Sequence, residues 1–504
     1  MFSLRVGQRL LSVAVLVVCA PCFVGGQTTP LARDFDGLIA KAMTTGFSPG
    51  IAVAVVQNDT IIYSKGFGFT SLATRRPVDA DTQFYIGSTT KSFTALTAAA
   101  LAARGDIDLD APLSRYLPQA RFGPGIDPGT ITLRNLLTHT HGIRPDGPVD
   151  FRTAFTGDFE DAQLIELLRF HPPAATGREF SYSNLGYNIF SLVLDTKYQE
   201  GWKALIDREV FRPLDMTRTT AFVSKADRMN LAMPHIYDGT RSVPVTYAKQ
   251  DANMQAAGGH LSTAHDLARY LLIHINNGRV GRTQLLPAAV IESTHVQQAS
   301  QMRTFGPFRR FGWSLGWDMA TYEGDTILQR FGSFLGFRSH VSFMPERRIG
   351  IVVLSNDGLA GSPLTDIIAT YIYDRILQKP DLETTYEKQL EELSQQVPAA
   401  VARDRAARAA RPQVTPLPLS AYTGTYESEA LGRMTWTFVD GALKVKMGIA
   451  EGNVEVYDGA RYQLRVDLDG GGSIVTFMVP EGATRPVALR FLDYGFVRVS
   501  NPQQ

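Results

Sequence analysis

The sequence predicts an α+β unit whose terminal strands share one sheet, followed by a small all-β domain. Three observations carry this. Strand-like runs stand near both ends of residues 35–378, with helical periodicity between them. A proline-rich stretch, Pro412 to Pro418, reads as a linker. Beyond it, short alternating runs with turn signals replace the helical pattern.

Taken in order, Phe35 to Thr45 reads as a helix. Ile51 to Val56 and Thr60 to Tyr63 flank Gln57-Asn58-Asp59, a hairpin signal. Ser88 to Ala103 is a helix rich in alanine and leucine. Glycine and proline break Pro112 to Pro172 into short pieces, one of them the helical Asp161 to Phe170. Helical periodicity returns at Tyr187 to Tyr198 and Asp266 to Asn276. Two β-rich runs, Arg338 to Phe343 and Ile349 to Leu354, flank a turn at Pro345 to Arg348, and Asp366 to Leu377 closes the unit as a helix. The first and last strands are expected to share one sheet.

Residues 379–418 are a charged helical linker interrupted by Pro398 and ending in the proline-rich stretch. Arg403 to Arg411 carries four arginines among alanines. Without interleaved aromatics, that is a solvated helix rather than a nucleic-acid or membrane patch. Residues 419–504 read as a small barrel or sandwich. Met434 to Val439 and Leu443 to Val445 form a hairpin across Asp440-Gly441, with strands at Tyr462 to Val466, Ser473 to Val479 and Val487 to Phe491.

The chain has 504 residues, enough for more than one domain and for a core that needs no staples. Its formal net charge is +1, so no global field recruits nucleic acid. Arg5 and Arg9 precede an apolar run from Leu10 to Ala20, and small residues lead to Gly26. That layout reads as a secretory signal peptide over residues 1–26, with periplasmic or secreted export and no stable membrane span after cleavage, the alternative being a retained N-terminal anchor. The only cysteines, Cys19 and Cys22, lie inside it. A mature chain then has no thiol, which excludes a cysteine nucleophile, disulfides and thiolate metal sites. Val18 and Pro21 are poor preceding residues for a lipid-anchored cysteine.

The chemistry centres on Ile86-Gly87-Ser88-Thr89-Thr90-Lys91. Ser88 stands where a helix begins, with its N–H outside the helical ladder and the positive end of the dipole behind it. Lys91 is three residues on, hence on the same face, and a buried lysine can take a serine proton. Alone, Ser-x-x-Lys also describes an N-cap serine and a surface lysine. The second piece is Phe180-Ser181-Tyr182-Ser183-Asn184, where Tyr182 could act as base or proton relay and Asn184 could bind a carbonyl and hold Lys91. The third is Arg330-Phe331-Gly332-Ser333: Ser333 could add a second oxyanion N–H, and Arg330 could place a cation near a substrate carboxylate. His139 and His141 lack a nearby acidic or thiol ligand, so no metal site is read there; His265 belongs to a capping box, Thr263 to Asp266.

In this order and at these separations, the three pieces resemble the serine β-lactamase and penicillin-binding-protein superfamily, and within it the class C β-lactamase, DD-peptidase and esterase branch. Leu136-Leu137-Thr138-His139-Thr140-His141-Gly142, Pro213-Leu214-Asp215-Met216, Gly258-Gly259-His260-Leu261-Ser262-Thr263 and Val353-Leu354-Ser355-Asn356 resemble further segments of that branch. The likeness spans about residues 35–378. Tyr422-Thr423-Gly424-Thr425-Tyr426 resembles a small β-barrel-like accessory domain found after some such hydrolases.

The resemblance implies a β-lactamase/transpeptidase-like fold, an antiparallel sheet flanked by helices with a helical subdomain, and a serine hydrolase of carboxypeptidase, esterase or β-lactamase type. Catalysis would run through an acyl-enzyme on Ser88, with Lys91 and Tyr182 sharing proton transfers. Asn184, Arg330, Gly332 and Ser333 would bind substrate, a small molecule or peptide, with no cofactor. Arg330 stands where the family has Lys or His, and an arginine does not act as acid or base near neutral pH. That departure motivates the alternative, a non-catalytic envelope protein that binds peptides or penicillins.

Overall fold

The computed structural model describes residues 29–145, 147–245, 249–468 and 470–499. The leader read at residues 1–26 lies outside them. The helices that frame the site are α1 (Pro30–Thr44), α2 (Thr90–Ala103), α3 (Leu185–Lys197), α4 (Ala264–Ile275), α5 (Gly361–Ile376) and α6 (Leu382–Ala409). The main sheet comprises β1 (Gly50–Gln57), β2 (Thr60–Gly68), β3 (Ala299–Phe305), β4 (Phe308–Trp313), β5 (Asp318–Tyr322), β6 (Asp325–Phe334), β7 (Phe337–Met344) and β8 (Ile349–Ser355).

These eight strands run in the order β2-β1-β8-β7-β6-β5-β4-β3. The N-terminal hairpin therefore joins the last strand of the meander, with Ile51 opposite Ser355 and Gln57 opposite Ile349. The expectation that the two ends share one sheet holds. The apolar runs of β1 and β8 are continuous because both sheet faces are covered. Ala52, Ala54 and Val56 point into one core with Leu267 and Leu271 of α4, while Ile51, Val53 and Val55 point into a second with Phe35 and Ile39 of α1 and Leu364 and Ile368 of α5. Helix α2 is buried from Thr90 to Leu101 in the first core, which explains its small, apolar composition.

Two expectations about this region are corrected. The late β-rich part begins at Ala299, well before the two runs read at Arg338 to Phe343 and Ile349 to Leu354, and Arg330 to Ser333 lie inside β6. A register shift between Arg310 and Gly312 breaks the alternation of β4 and hid these strands. Pro398 also does not interrupt the linker helix: α6 runs through it for 28 residues. The carbonyl of Ser394 that loses its partner there is at an exposed position, where water can satisfy it. The buried residues Leu382, Tyr386, Leu390 and Leu393 form the one stripe that α6 packs on the domain. Its Tyr386 hydroxyl donates to Asp374 of α5 at 2.7 Å.

The C-terminal strands are β9 (Gly424–Ser428), β10 (Gly432–Val439), β11 (Ala442–Met447), β12 (Ala450–Asp458), β13 (Gln463–Val466), β14 (Ser473–Met478), β15 (Ala488–Phe491) and β16 (Tyr494–Val499). They close into a barrel in sequence order, β16 pairing back onto β9 with Thr425 opposite Val499. Closure removes every edge strand. Asp440 and Gly441 have φ of 51° and 80°, the left-handed pair that a two-residue hairpin needs.

The barrel is docked on the α+β unit. Phe151 belongs to the barrel's apolar core and meets Phe491 edge-on at 5.5 Å. Arg152 Nε donates to the Ala430 carbonyl at 3.2 Å, and the Ile449 N–H donates to the Thr156 carbonyl at 2.9 Å. Truncating Phe151→Ala is expected to cost about 3–5 kcal/mol, the usual range for a buried phenylalanine. Thermal unfolding checks this, and proteolysis within Pro412 to Pro418 should quicken as the barrel loosens.

Candidate active site

Gly87–Thr89 form a 3₁₀ turn that leads into α2, so Ser88 sits one turn ahead of the α-helix rather than inside it. Side chains pin this turn to the sheet. Thr89 Oγ1 lies 2.8 Å from Ser339 Oγ, which donates to the Ile86 carbonyl at 2.9 Å. Thr89 Oγ1 also donates to the Arg330 carbonyl at 3.2 Å.

Two glycines permit the close approach. Gly87 has φ of 51°, and a Cβ there would sit 2.7 Å from the Ser333 backbone nitrogen. A Cβ on Gly332 would overlap the Ile86 carbonyl. Gly332 is thus a spacer that lets β6 reach the turn, and Ser333 is the strand residue left beside Ser88. Gly332→Ala should lose at least about 2 kcal/mol of stability, or keep the fold by pushing β6 away and losing activity. Thermal unfolding read with turnover separates the two outcomes.

Lys91 Nζ lies 3.1 Å from Ser88 Oγ and 2.7 Å from both Asn184 Oδ1 and the Ala257 carbonyl. The two fixed acceptors occupy two N–H bonds, so the third direction, a lone pair in the neutral amine, faces Ser88. Lys91 is completely buried. Burial depresses its pKa, the nearby Arg330 adds to the fall, and Tyr182 opposes it.

Tyr182 reaches the same hydroxyl, its OH 2.9 Å from Ser88 Oγ. The stretch before α3 is held by His139: the Ser181 N–H donates to its carbonyl at 2.9 Å, and the Ser183 N–H to its Nδ1 at 3.2 Å. The Tyr182 ring packs 4.7 Å from His139 and 5.8 Å from Trp313. Burial would raise the Tyr182 pKa, but the cations of Arg330 and Lys91 outweigh it and hold the phenol at about 8. His139, buried and close to Lys91, is pushed well below the ordinary imidazole range and stays neutral.

Arg330 has contacts that the sequence did not announce. Its guanidinium is buried, 5.3 Å from the Tyr182 ring centre and 5.0 Å from that of Trp313. Nη1 stands 3.1 Å from Asp318 Oδ2, close enough for ion pairing but outside hydrogen-bonding direction. Arg310 lies 3.3 Å from the other Asp318 oxygen. Arg330 borders the cleft with Ser88 and Tyr182 while packing against the tyrosine and tryptophan rings. Sequence reasoning missed Asp318, Trp313 and Arg310 because the strands carrying them were not recognised.

A family model for beta-lactamase matches residues 35–375. The chain belongs to the beta-lactamase family. These are serine hydrolases of the β-lactamase/transpeptidase-like fold. The beta-lactamase-family chain is 25% identical over 334 residues to protein flp of Staphylococcus aureus (strain NCTC 8325 / PS 47), covering 64% of this chain. It spans 63% of that relative's length. It is likewise 25% identical over 438 residues to unguisins hydrolase ungD' of Aspergillus campestris, covering 81% of this chain and 78% of that one. Among solved structures it is similar to the octameric penicillin-binding protein homologue from Pyrococcus abyssi, with a TM-score of 0.59, 22% identity, and coverage of 92% of this chain and 99% of that one.

Other residues singled out in this family member have structural contacts. His141 Nδ1 accepts from the Ile143 N–H at 3.1 Å. Thr263 caps α4 by accepting from the Asp266 N–H, but Asp266 does not reciprocate; it accepts from Thr219 Oγ1 at 2.7 Å, so the capping box is only half formed. Among the described residues no group of acidic, histidine or cysteine side chains could hold a metal, and no helix is long and apolar enough to cross a membrane.

Proposed function

We propose that this protein is an exported hydrolase that cleaves an ester, amide or peptide bond through an acyl-enzyme on Ser88. The observation that carries the reading is the convergence of Lys91 and Tyr182 on one hydroxyl, 3.1 Å and 2.9 Å from Ser88 Oγ. Export rests on the charged and apolar pattern of the first residues.

Ser88 Oγ attacks the substrate carbonyl while the Lys91–Tyr182 pair takes its proton. The pair titrates as a unit, so base duty belongs to both. The N–H groups of Ser88 and Ser333 receive the oxyanion. The pair returns the proton to the leaving atom. Water, activated by the same pair, then releases the acyl group and regenerates Ser88. Arg330 moves no proton; its positive charge makes the Tyr182 anion accessible near neutral pH. A cation at this position thus has a role that needs no acid–base chemistry, which removes the main motive for a non-catalytic sensor. The hydrolase named among the relatives supports the same reading.

A fluorophosphonate probe followed by peptide mass mapping tests the proposal. An adduct on the peptide carrying Ser88 supports it. Folded, unlabelled protein that also cleaves no p-nitrophenyl ester, D-amino-acid amide or chromogenic cephalosporin would count decisively against it.

A further inference from the structure

We infer that Leu492, on a barrel hairpin, is a specificity-determining residue of the Ser88 site and selects substrates with an apolar group on one side of the scissile bond. This rests on the hydrolase reading above. Ser88 opens onto two spaces. One is the arginine-bordered cleft with Arg330. The other is a cavity of about 420 Å³ with Ser88, Asn184 and Ser333 at its polar end. Its remaining walls are mainly apolar, including Phe151, Phe155 and Phe334, the last two stacked at 5.6 Å. Among the described residues that line it, Leu492 is the one contributed by the barrel. The charged lining residue, Asp150, is engaged by Asn188 Nδ2 at 2.7 Å. Such a space takes an aliphatic or aromatic group of several carbons.

The turn that carries Leu492 is not explained by turn chemistry. Phe491 and Tyr494 pair directly, leaving Leu492 and Asp493 as a two-residue loop with φ of 47° and 68°. Asparagine and glycine suit these positions, whereas leucine is disfavoured in the left-handed region. Leu492 packs partly against the barrel core and also lines the cavity, and a costly residue at such a place points from strain to use. The turn is also fixed. Phe491 meets Phe151 at 5.5 Å, and the Tyr494 hydroxyl donates to the Phe170 carbonyl at 3.4 Å. The barrel thereby forms part of the site's wall, and its hairpin sets how far an apolar group can extend.

Leu492→Asn tests this, because asparagine suits the turn but puts an amide in the cavity. Two ester series are compared by kcat/KM: acyl chains from acetyl to octanoyl on p-nitrophenol, and alcohols from methyl to benzyl on acetate. In one series the preference of the wild type for the longer apolar group should fall at least about fivefold in the variant, as expected when an apolar contact is lost. Asp493→Gly alters the same turn without touching the cavity and should keep the wild-type preference. Both series unchanged within twofold in Leu492→Asn would overturn the inference. So would an equal change in Asp493→Gly, which would mark the effect as one of turn shape. If the wild type hydrolyses nothing, the hydrolase reading fails on its own account. Calorimetric titration of Ser88→Ala protein with the same esters then still reads the preference: tighter binding of the longer apolar group, lost on adding Leu492→Asn, supports the wall, and equal binding overturns it.

Discussion

Ser88→Ala protein is expected to fold with wild-type stability and to lose kcat/KM by at least about 10⁴-fold on any ester the wild type cleaves. The loss is large because attack, oxyanion placement and proton transfer all refer to one oxygen. Fold should survive because Ser88 itself is only half-buried, while Lys91 keeps its acceptors on Asn184 and Ala257 at 2.7 Å. Turnover is read with circular dichroism and a melting curve on the same sample. More than about one per cent residual kcat/KM in a correctly folded variant would place the nucleophile elsewhere.

The second large effect concerns the pH profile. With Tyr182 held at about 8, the rate should rise with pH through that region as the phenol ionises. The sign follows from the chemistry, since the deprotonated pair accepts the Ser88 proton. Arg330→Met removes the positive charge that does most to favour the phenolate, so the limb should move to higher pH. Each unit of movement lowers the ionised fraction at pH 7 by about tenfold. Arg330→Lys keeps a positive charge and should move the limb less. Tyr182→Phe should cut kcat by about 10²–10⁴-fold and abolish the limb. A limb that stays put in folded Arg330→Met protein would show that the guanidinium does not govern Tyr182.

Much of this arrangement was legible in the sequence, but unevenly. Ser88, Lys91, Tyr182 and Asn184 were found because motifs that are weak singly stood in the order and at the separations that resemble a known family. The structure brings those four side chains within hydrogen-bond reach of one another through chain separations of up to 94 residues. Arg330 was located as a position bordering the cleft, but its contacts with Tyr182, Trp313 and Asp318 were not foreseen. Its partner Asp318 and its neighbour Trp313 lie on β5 and β4, and the bulge in β4 hid that part of the sheet. Gly332 stood within the quoted motif, yet its value as a spacer depends on the Ile86 carbonyl opposite, which is a tertiary fact. The barrel's β-rich composition announced an all-β domain. Its contribution to the cavity did not appear, because Leu492-Asp493 lacks the asparagine–glycine chemistry that marks such a turn.

The proposed mechanism requires a covalent acyl-enzyme on Ser88 formed with the help of Lys91 and Tyr182. Rapid mixing with a slowly deacylated p-nitrophenyl ester, acid quench and intact-mass analysis tests it most directly. The predicted result is a burst of p-nitrophenol approaching one equivalent, with a mass increase equal to the acyl group on the peptide containing Ser88. The same increase should be absent from Ser88→Ala and slow to form in Tyr182→Phe. Sustained turnover with no burst, and no acyl mass on Ser88 even when deacylation is slowed, would contradict it.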